Sequence, residues 1–276
     1  MAAMVLPELF AQQTQFFIHN TKLLLSKHKH VINWRKSPSI LEFGFADGSN
    51  SKNCLQPIIP PDYKEFIGAD VSKPMVDYAR KHVALPRSNF CQLDIATKSV
   101  PNELKDRFDH IFSFFTIHMI KSPRLAFQNI HRMLKKGGQT FHILYERIPA
   151  DAVFQKLSQH PRCGKCNQEL MISPYFEKEN PRHQYEKDLK EAGFPEFYFQ
   201  EHRNLTYTFP NEKSLKDLFI SINATLPYVP ESEVEEYKKD YLDIVRQRMK
   251  RAAEEKVIPN DLTAKYTLFV ISAHKQ

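Results

Sequence analysis

The stretch Ile40-Leu41-Glu42-Phe43-Gly44-Phe45-Ala46-Asp47-Gly48-Ser49 decides the reading of this chain. An apolar run carrying one acid gives way to small residues at Gly44, Ala46 and Gly48. That pattern predicts a buried strand delivering a tight turn into a helix N-terminus. Gly44 permits the turn, and Ala46 and Gly48 let a ligand approach the backbone without side-chain obstruction. A second apolar run, Phe66-Ile67-Gly68-Ala69, ends at Asp70, twenty-two positions after Gly48. An acid at that strand tip can bind the two hydroxyls of a ribose. Together these residues read as a nucleoside-binding βαβ unit.

The choice of nucleoside follows from spacing. The loop departs from G-x-G-x-x-G, since no third glycine stands where dinucleotide folds pack helix on strand. The G-x-x-x-x-G-K-[ST] phosphate loop is absent: Gly44 and Gly48 are too close and no Lys-Ser follows. An E/D-x-G-x-[GA]-x-G loop, an acid ending strand two and another ending strand three suit S-adenosylmethionine (SAM). The third acid is Asp94, in Phe90-Cys91-Gln92-Leu93-Asp94-Ile95. Any one of these residues alone reads as an ordinary turn; the three in register carry the assignment.

The 276 residues can form one large domain, or a domain with a cap. Thirty-nine basic against 32 acidic residues leave a net charge of +7, dispersed without a long run of like charge. This favours nucleic acid only slightly, and a modest positive field also attracts a small carboxylate. Four cysteines, Cys54, Cys91, Cys163 and Cys166, are sparse usage typical of a reduced compartment. No signal pattern or long apolar stretch occurs, so a cytoplasmic location without membrane insertion is expected.

Along the chain, residues 8–28 predict one or two helices folding over the core, and Trp34 reads as packing. Strands are expected at 39–44, 65–70, 88–93, 108–115 and about 139–145. Helices are expected from Ser49 to Pro57, after a Ser72 cap with Met75, Val76 and Ala79 buried, and from Ser122-Pro123 to Gly137-Gly138. The nearly continuous apolar run of strand four predicts a parallel strand covered on both faces. Such alternation implies a doubly wound α/β sheet. Gly193-Phe194 closes a further helix, and Glu196–Phe199 with Ala264–Ala273 supply the last strands, pairing as an antiparallel edge. Between them Leu215, Leu218, Phe219 and Ile222 predict one helix, and Ser232 with Glu235 a capping box opening another.

These residues resemble the insect juvenile hormone acid O-methyltransferases, within the class I SAM-dependent methyltransferases. The resemblance rests on Leu41–Ser49, Gly68–Ser72 with Met75–Ala79, Phe108–Phe114 and Thr116-Ile117-His118. It is extended by Ile172-Ser173-Pro174-Tyr175 and Asp240-Tyr241-Leu242-Asp243-Ile244-Val245-Arg246, which are more specific. It spans the whole chain from about residue 8. It implies a seven-stranded Rossmann-like sheet in one domain over 1–276, with the N-terminal helices (8–30) and insertions 146–182 and 205–262 as a substrate cap. Two departures lie at the substrate end. Met119 stands where the family has tryptophan after the histidine, and Phe17 stands where it has a glutamine, with Gln12, Gln13 and Gln15 nearby. Phe45 also replaces a common cysteine.

The resemblance also implies site roles. Backbone from Gly44 through Phe45 and Ala46 to Gly48, with Glu42, would face the methionine part of SAM. Asp70 with Val71 would take the ribose, Asp94 and Ile95 the adenine, with Met75 beside them, and Ser113 and Phe114 the sulfonium side. His118 or Gln15 would donate to the substrate carboxylate. Gln12, Phe16, Phe17, Met119, Tyr145, Ile172, Tyr175 and Phe219 would hold its apolar body. Asp109 and His110 read as sheet-edge groups. Cys163-Gly164-Lys165-Cys166, near His160 and His183, lacks a second C-x-x-C and reads as a plain loop, with no metal expected.

Three readings follow: methylation of a sesquiterpenoid acid such as juvenile hormone acid or farnesoic acid (or another apolar carboxylic acid), a SAM-binding paralogue without turnover, or an RNA or protein methyltransferase. The last needs a basic face with exposed aromatics, whereas the aromatics here sit in core-like runs. The expected partner is a small apolar carboxylic acid and no nucleic acid, with a homodimer left open.

Overall fold

The computed structural model describes residues 4–161 and 163–276. Its sheet has seven strands in the order β3-β2-β1-β4-β5-β7-β6. These are β1 Ser39–Phe43, β2 Glu65–Asp70, β3 Ser88–Gln92, β4 Phe108–Phe114, β5 Leu134–Tyr145, β6 Phe197–Thr208 and β7 Thr263–His274. Strands β1 to β5 run parallel, and β7 lies antiparallel between β5 and β6. β1 and β4 are buried along their whole length, which is why both read as nearly unbroken apolar runs.

Alternation along the strands divides the core in two. Leu41, Phe43 and Ile111 face α4 (Pro123–Met133) and α6 (Pro181–Glu191) on one side. Ile40, Phe112 and Phe114 face the other, where α2 (Gln15–His28), α3 (Lys73–His82), α5 (Asp151–Ser158), α7 (Glu212–Ser221) and α8 (Val234–Glu254) gather. The short α1 (Pro7–Ala11) packs Phe10 beside Ala46 and Met75. The helices interrupting the strand alternation thus lie mostly over one face, above the C-terminal ends of β1, β2 and β4.

Local chemistry explains most boundaries. Ser72 caps α3, its Oγ accepting from Met75 N–H at 3.3 Å, and Gly193, at φ +100°, follows α6. Several expectations are refined or corrected. The helix expected from Ser49 to Pro57 forms, but it widens into a π turn at Ser51–Leu55 and closes in a 3-10 turn at Gln56–Ile58. α4 ends before Gly137-Gly138, because Leu134 already pairs with Phe108 and the glycines sit in a bulge at the start of β5. β6 runs on to Thr208, since its pairing with β7 resumes after an irregularity between His202 and Leu205. The Ser232 capping box does not form; Pro230 leads into a 3-10 turn, and α8 begins behind Glu233 with no side-chain cap. Asp109 and His110 lie not at a sheet edge but in central β4, with Trp34 packed 4.7 Å from the His110 ring. Among the described residues, no helix is long and apolar enough to cross a membrane.

Candidate functional site

A single cleft opens where β1, β2 and β4 end, enclosing about 1480 Å³ including its mouth. Its two ends differ in chemistry.

The first end is built on the loop after β1. Gly44 turns at φ +67°, its N–H donates to Ala69 O at 2.7 Å, and a Cβ there would lie 2.0 Å from Thr116 Oγ1. The loop is therefore held tightly between β2 and the exit of β4. Ala46 follows in the left-handed region at φ +53°, an uncommon conformation for a residue with a Cβ. Its N–H donates to Asp70 Oδ2 at 3.0 Å, while Ser72 N–H donates to Asp70 Oδ1 at 2.8 Å. Asp70 is thus fixed by two backbone donors, and burial still raises its pKa. Glu42 accepts from Ser51 Oγ at 2.6 Å, and burial pushes its carboxyl up to about 8. Asp47, also raised by burial, accepts from the Ser49 hydroxyl.

Three carboxyls, one beside another at a buried backbone cradle, make a donor set that suits a ligand bringing hydroxyls and positive charge. SAM carries both, in its ribose and in its sulfonium and ammonium groups. Glu42, Gly44, Phe45, Ala46, Asp70, Val71, Ile95 and Phe114 all line this end. Gly48, Met75, Asp94 and Ser113 do not. Gly48 packs against Val83, and Met75 lies behind Ala46. The Asp94 carboxylate turns back to accept from Ala96 N–H at 2.8 Å. Ser113 points to the opposite sheet face from Phe114, as strand alternation requires, and its hydroxyl is buried without a partner.

The second end is apolar. Phe115, at φ +58° just past β4, places its ring 5.3 Å from Phe17 and 5.5 Å from Tyr145. Phe17 also stacks on Phe10 at 5.5 Å, and Phe16 sits edge-on to Tyr266 at 5.4 Å. Met119, Phe154, Met171, Phe209 and Phe219 complete the walls. Polar groups are few: Thr14, Tyr145 and His118. His118 Nδ1 accepts from Tyr145 N–H at 3.2 Å, which leaves the proton of the neutral ring on Nε2. Burial holds its pKa down at about 3, so the ring is an uncharged donor across the physiological range.

Gln12 and Gln15 are exposed and do not line the cleft. α2 buries Phe16, Asn20 and Leu24 as a one-face stripe, which turns Gln15 to solvent. Ile172 and Tyr175 also stay outside. The Ile172 carbonyl accepts from Lys121 Nζ, and the Tyr175 hydroxyl donates to Asp188 on the far face. The same region ties the roof: Asp151 accepts from Ser173 N–H at 2.6 Å and Ile148 N–H at 2.8 Å. Sequence reading missed Phe115 and Thr116, which adjoin a strand end already singled out. It also missed Met4, Phe10, Phe154 and Met171, which no motif marks.

Comparison with known proteins agrees with this architecture. Residues 41–140 match a methyltransferase domain family. The juvenile hormone acid O-methyltransferase of Bombyx mori is 32% identical over 227 residues, 81% of this chain and 80% of that protein. Its Drosophila melanogaster counterpart is 28% identical over 243 residues, 86% and 81% of the two. Among solved structures, the Bacillus YcgJ protein superposes with a TM-score of 0.60 at 16% identity, over 94% of this chain and 99% of that one. A Haemonchus contortus phosphoethanolamine N-methyltransferase, solved with S-adenosylhomocysteine, gives 0.55 at 17%, over 93% and 53%. The structural likenesses speak for the Rossmann-like fold alone, while the Bombyx identity over four-fifths of both proteins carries descent. The chain therefore belongs to the juvenile hormone acid O-methyltransferase family, SAM-dependent methyltransferases of class I.

Proposed function

We propose that this enzyme methylates the carboxylate of a long apolar acid, a sesquiterpenoid acid of the juvenile hormone acid or farnesoic acid kind. The observation that carries the reading is the second end of the cleft: aromatic and aliphatic walls with few polar side chains, Thr14, Tyr145 and His118 among them. Burial of a chain of about 15 carbons supplies on the order of 10 kcal/mol before ordering costs. The names of the Bombyx and Drosophila relatives point the same way.

Bound SAM supplies an already activated methyl group on a cationic sulfur. The acid is ionised at neutral pH, so no general base is needed. What remains for the protein is positioning. In this reading Asp70 holds the ribose hydroxyls, the Gly44–Ala46 backbone and Glu42 face the methionine part, and Val71 and Ile95 flank the base. His118 Nε2–H, with the Tyr145 hydroxyl, donates to the substrate carboxylate. The apolar shell of Phe17, Phe115 and Met119 excludes water from the anion. The N-terminal helices and the two insertions, 146–182 and 205–262, act as the cap.

The test is incubation with labelled SAM and farnesoic acid, juvenile hormone acid, or the matching alcohols. Label in the methyl esters of the acids and none in ethers is the expected result. Tight SAM binding with no ester from either acid overturns the substrate assignment.

A further inference from the structure

The C-x-x-C of the sequence gains in the fold the partners it lacked in the chain. Cys163–Lys165 form one 3-10 turn, and both Cys163 and Cys166 are buried. His160 stands at the end of the preceding turn. Asp240 arrives from α8, far along the sequence. Among the described residues, His160, Cys163 and Asp240 are the one group of three whose ligand atoms all lie within 4.8 Å of each other.

The three ligand atoms are spaced as three corners of a tetrahedral site, and the Cys166 thiol lies outside that group. Asp240 Oδ2 is 3.9 Å from His160 Nε2 and 4.0 Å from Cys163 Sγ. Around tetrahedral zinc, bonds of roughly 2.0 Å to N or O and 2.3 Å to S set these edges at about 3.3–3.6 Å. The observed edges need only a contraction of about half an ångström. Cys166 lines the same small cavity as Cys163, Tyr237 and Asp240. The C-x₂-C spacing is the one that brings two thiolates to a single metal. A set of two sulfurs, one imidazole and one carboxylate selects zinc over magnesium or calcium, which want oxygen alone.

We infer that His160, Cys163 and Asp240 hold a zinc-class divalent cation, with the Cys166 thiol turning in from the wall of the same small cavity as the fourth ligand. Binding exchanges contacts that these groups now make, among them that of Cys163 Sγ with Asp240 Oδ2 at 4.0 Å. His160 Nδ1 now receives Cys163 N–H at a long 3.4 Å, and ligation through Nε2 moves the ring proton to Nδ1 and gives up that contact. The consequence is mechanical. The loop lies between α5, which sends Phe154 into the cleft, and Met171, which lines it too. A metal here clips the 146–182 insertion to α8 and holds the roof of the apolar end. This is independent of which acid the cleft accepts.

The experiment titrates the full, reduced, metal-stripped chain with Co²⁺, then Zn²⁺. The expected result is one equivalent of Co²⁺ giving tetrahedral visible bands with a sulfur-to-cobalt charge-transfer band, bleached by Zn²⁺. Asp240→Ala and His160→Ala should each weaken binding about tenfold or more, and Cys163→Ser and Cys166→Ser should each lower the charge-transfer intensity. Because these variants can misfold, wild-type protein is also alkylated with and without Zn²⁺. Protection of Cys163 and Cys166, but not of Cys54 and Cys91, is the expected pattern. Absence of a charge-transfer band in folded protein, or Zn²⁺ leaving Cys163 and Cys166 as reactive as before, overturns the site.

Discussion

The two ends of the cleft are made by different physical means. The carboxylate-lined end is backbone architecture: Gly44, Ala46 and Asp70 are held by strand termini and by N–H donors within one compact βαβ unit. The apolar end is assembled from side chains of elements scattered along the chain, Phe16 on α2, Phe115 after β4, Phe154 on α5 and Phe219 on α7. Backbone hydrogen bonding tolerates little variation, whereas an apolar wall accepts substitutions that keep its volume. A fold of this kind can hold its cofactor end fixed while its substrate end drifts.

The sharpest way to break that contrast is Asp70→Ala. Losing charge-assisted hydrogen bonds at a buried position should weaken SAM binding by about two orders of magnitude or more, read by calorimetry, with Asp70→Asn as the fold control. Unchanged affinity in folded protein would remove Asp70 from the site. His118→Ala probes the opposite end. Ester formation should drop by about one to two orders of magnitude through lost positioning, with SAM affinity nearly unaltered; parallel loss of both would erase the distinction between the ends. Phe219→Ala should act more weakly, raising KM for a long acid about tenfold, as expected for one buried aromatic, while a short acid is barely affected.

The smallest expected effect is on stability against pH. His28 and His110, held near 4 by burial, and His118 and His142, near 3, bind protons more readily when unfolded. Their contribution is present above 6.5 and lost as pH falls below it. Glu42, raised by burial to about 8, and Asp151, to about 6, work oppositely: their contribution is present at low pH and lost as pH rises through those values. Four histidines against two carboxyls should make Tm climb from pH 5 to near neutrality, then fall slightly toward 8.5. Glu42→Gln should remove the fall; a fall that persists would take Glu42 out of this account.

The same contrast decides what the sequence could reveal. The strand ends were legible because a buried parallel strand, a turn glycine and a terminal acid lie next to each other in the chain. Ser113 points to the sheet face opposite Phe114, because successive strand residues alternate, and a motif match along the chain carries no information about face. Gln15 failed similarly: a helix that buries Phe16 turns the residue before it to solvent. Phe154 and Met171 carry no local signal, since only tertiary packing brings them to the cleft. Gly137-Gly138 mark a strand bulge as readily as a helix stop, and the Leu134–Phe108 pairing that decides between them is non-local.

Ser72, beside Asp70, donates its hydroxyl to Met4 O at 2.6 Å, and the same N-terminal segment carries Phe10, Phe16 and Phe17 into the apolar end. A single strap thus touches both compartments. Any molecule that settles the strap by binding at one end spares the other that ordering cost, so affinity at the two ends is linked, and linkage is reciprocal. Substrate should tighten cofactor binding by the same factor by which cofactor tightens substrate.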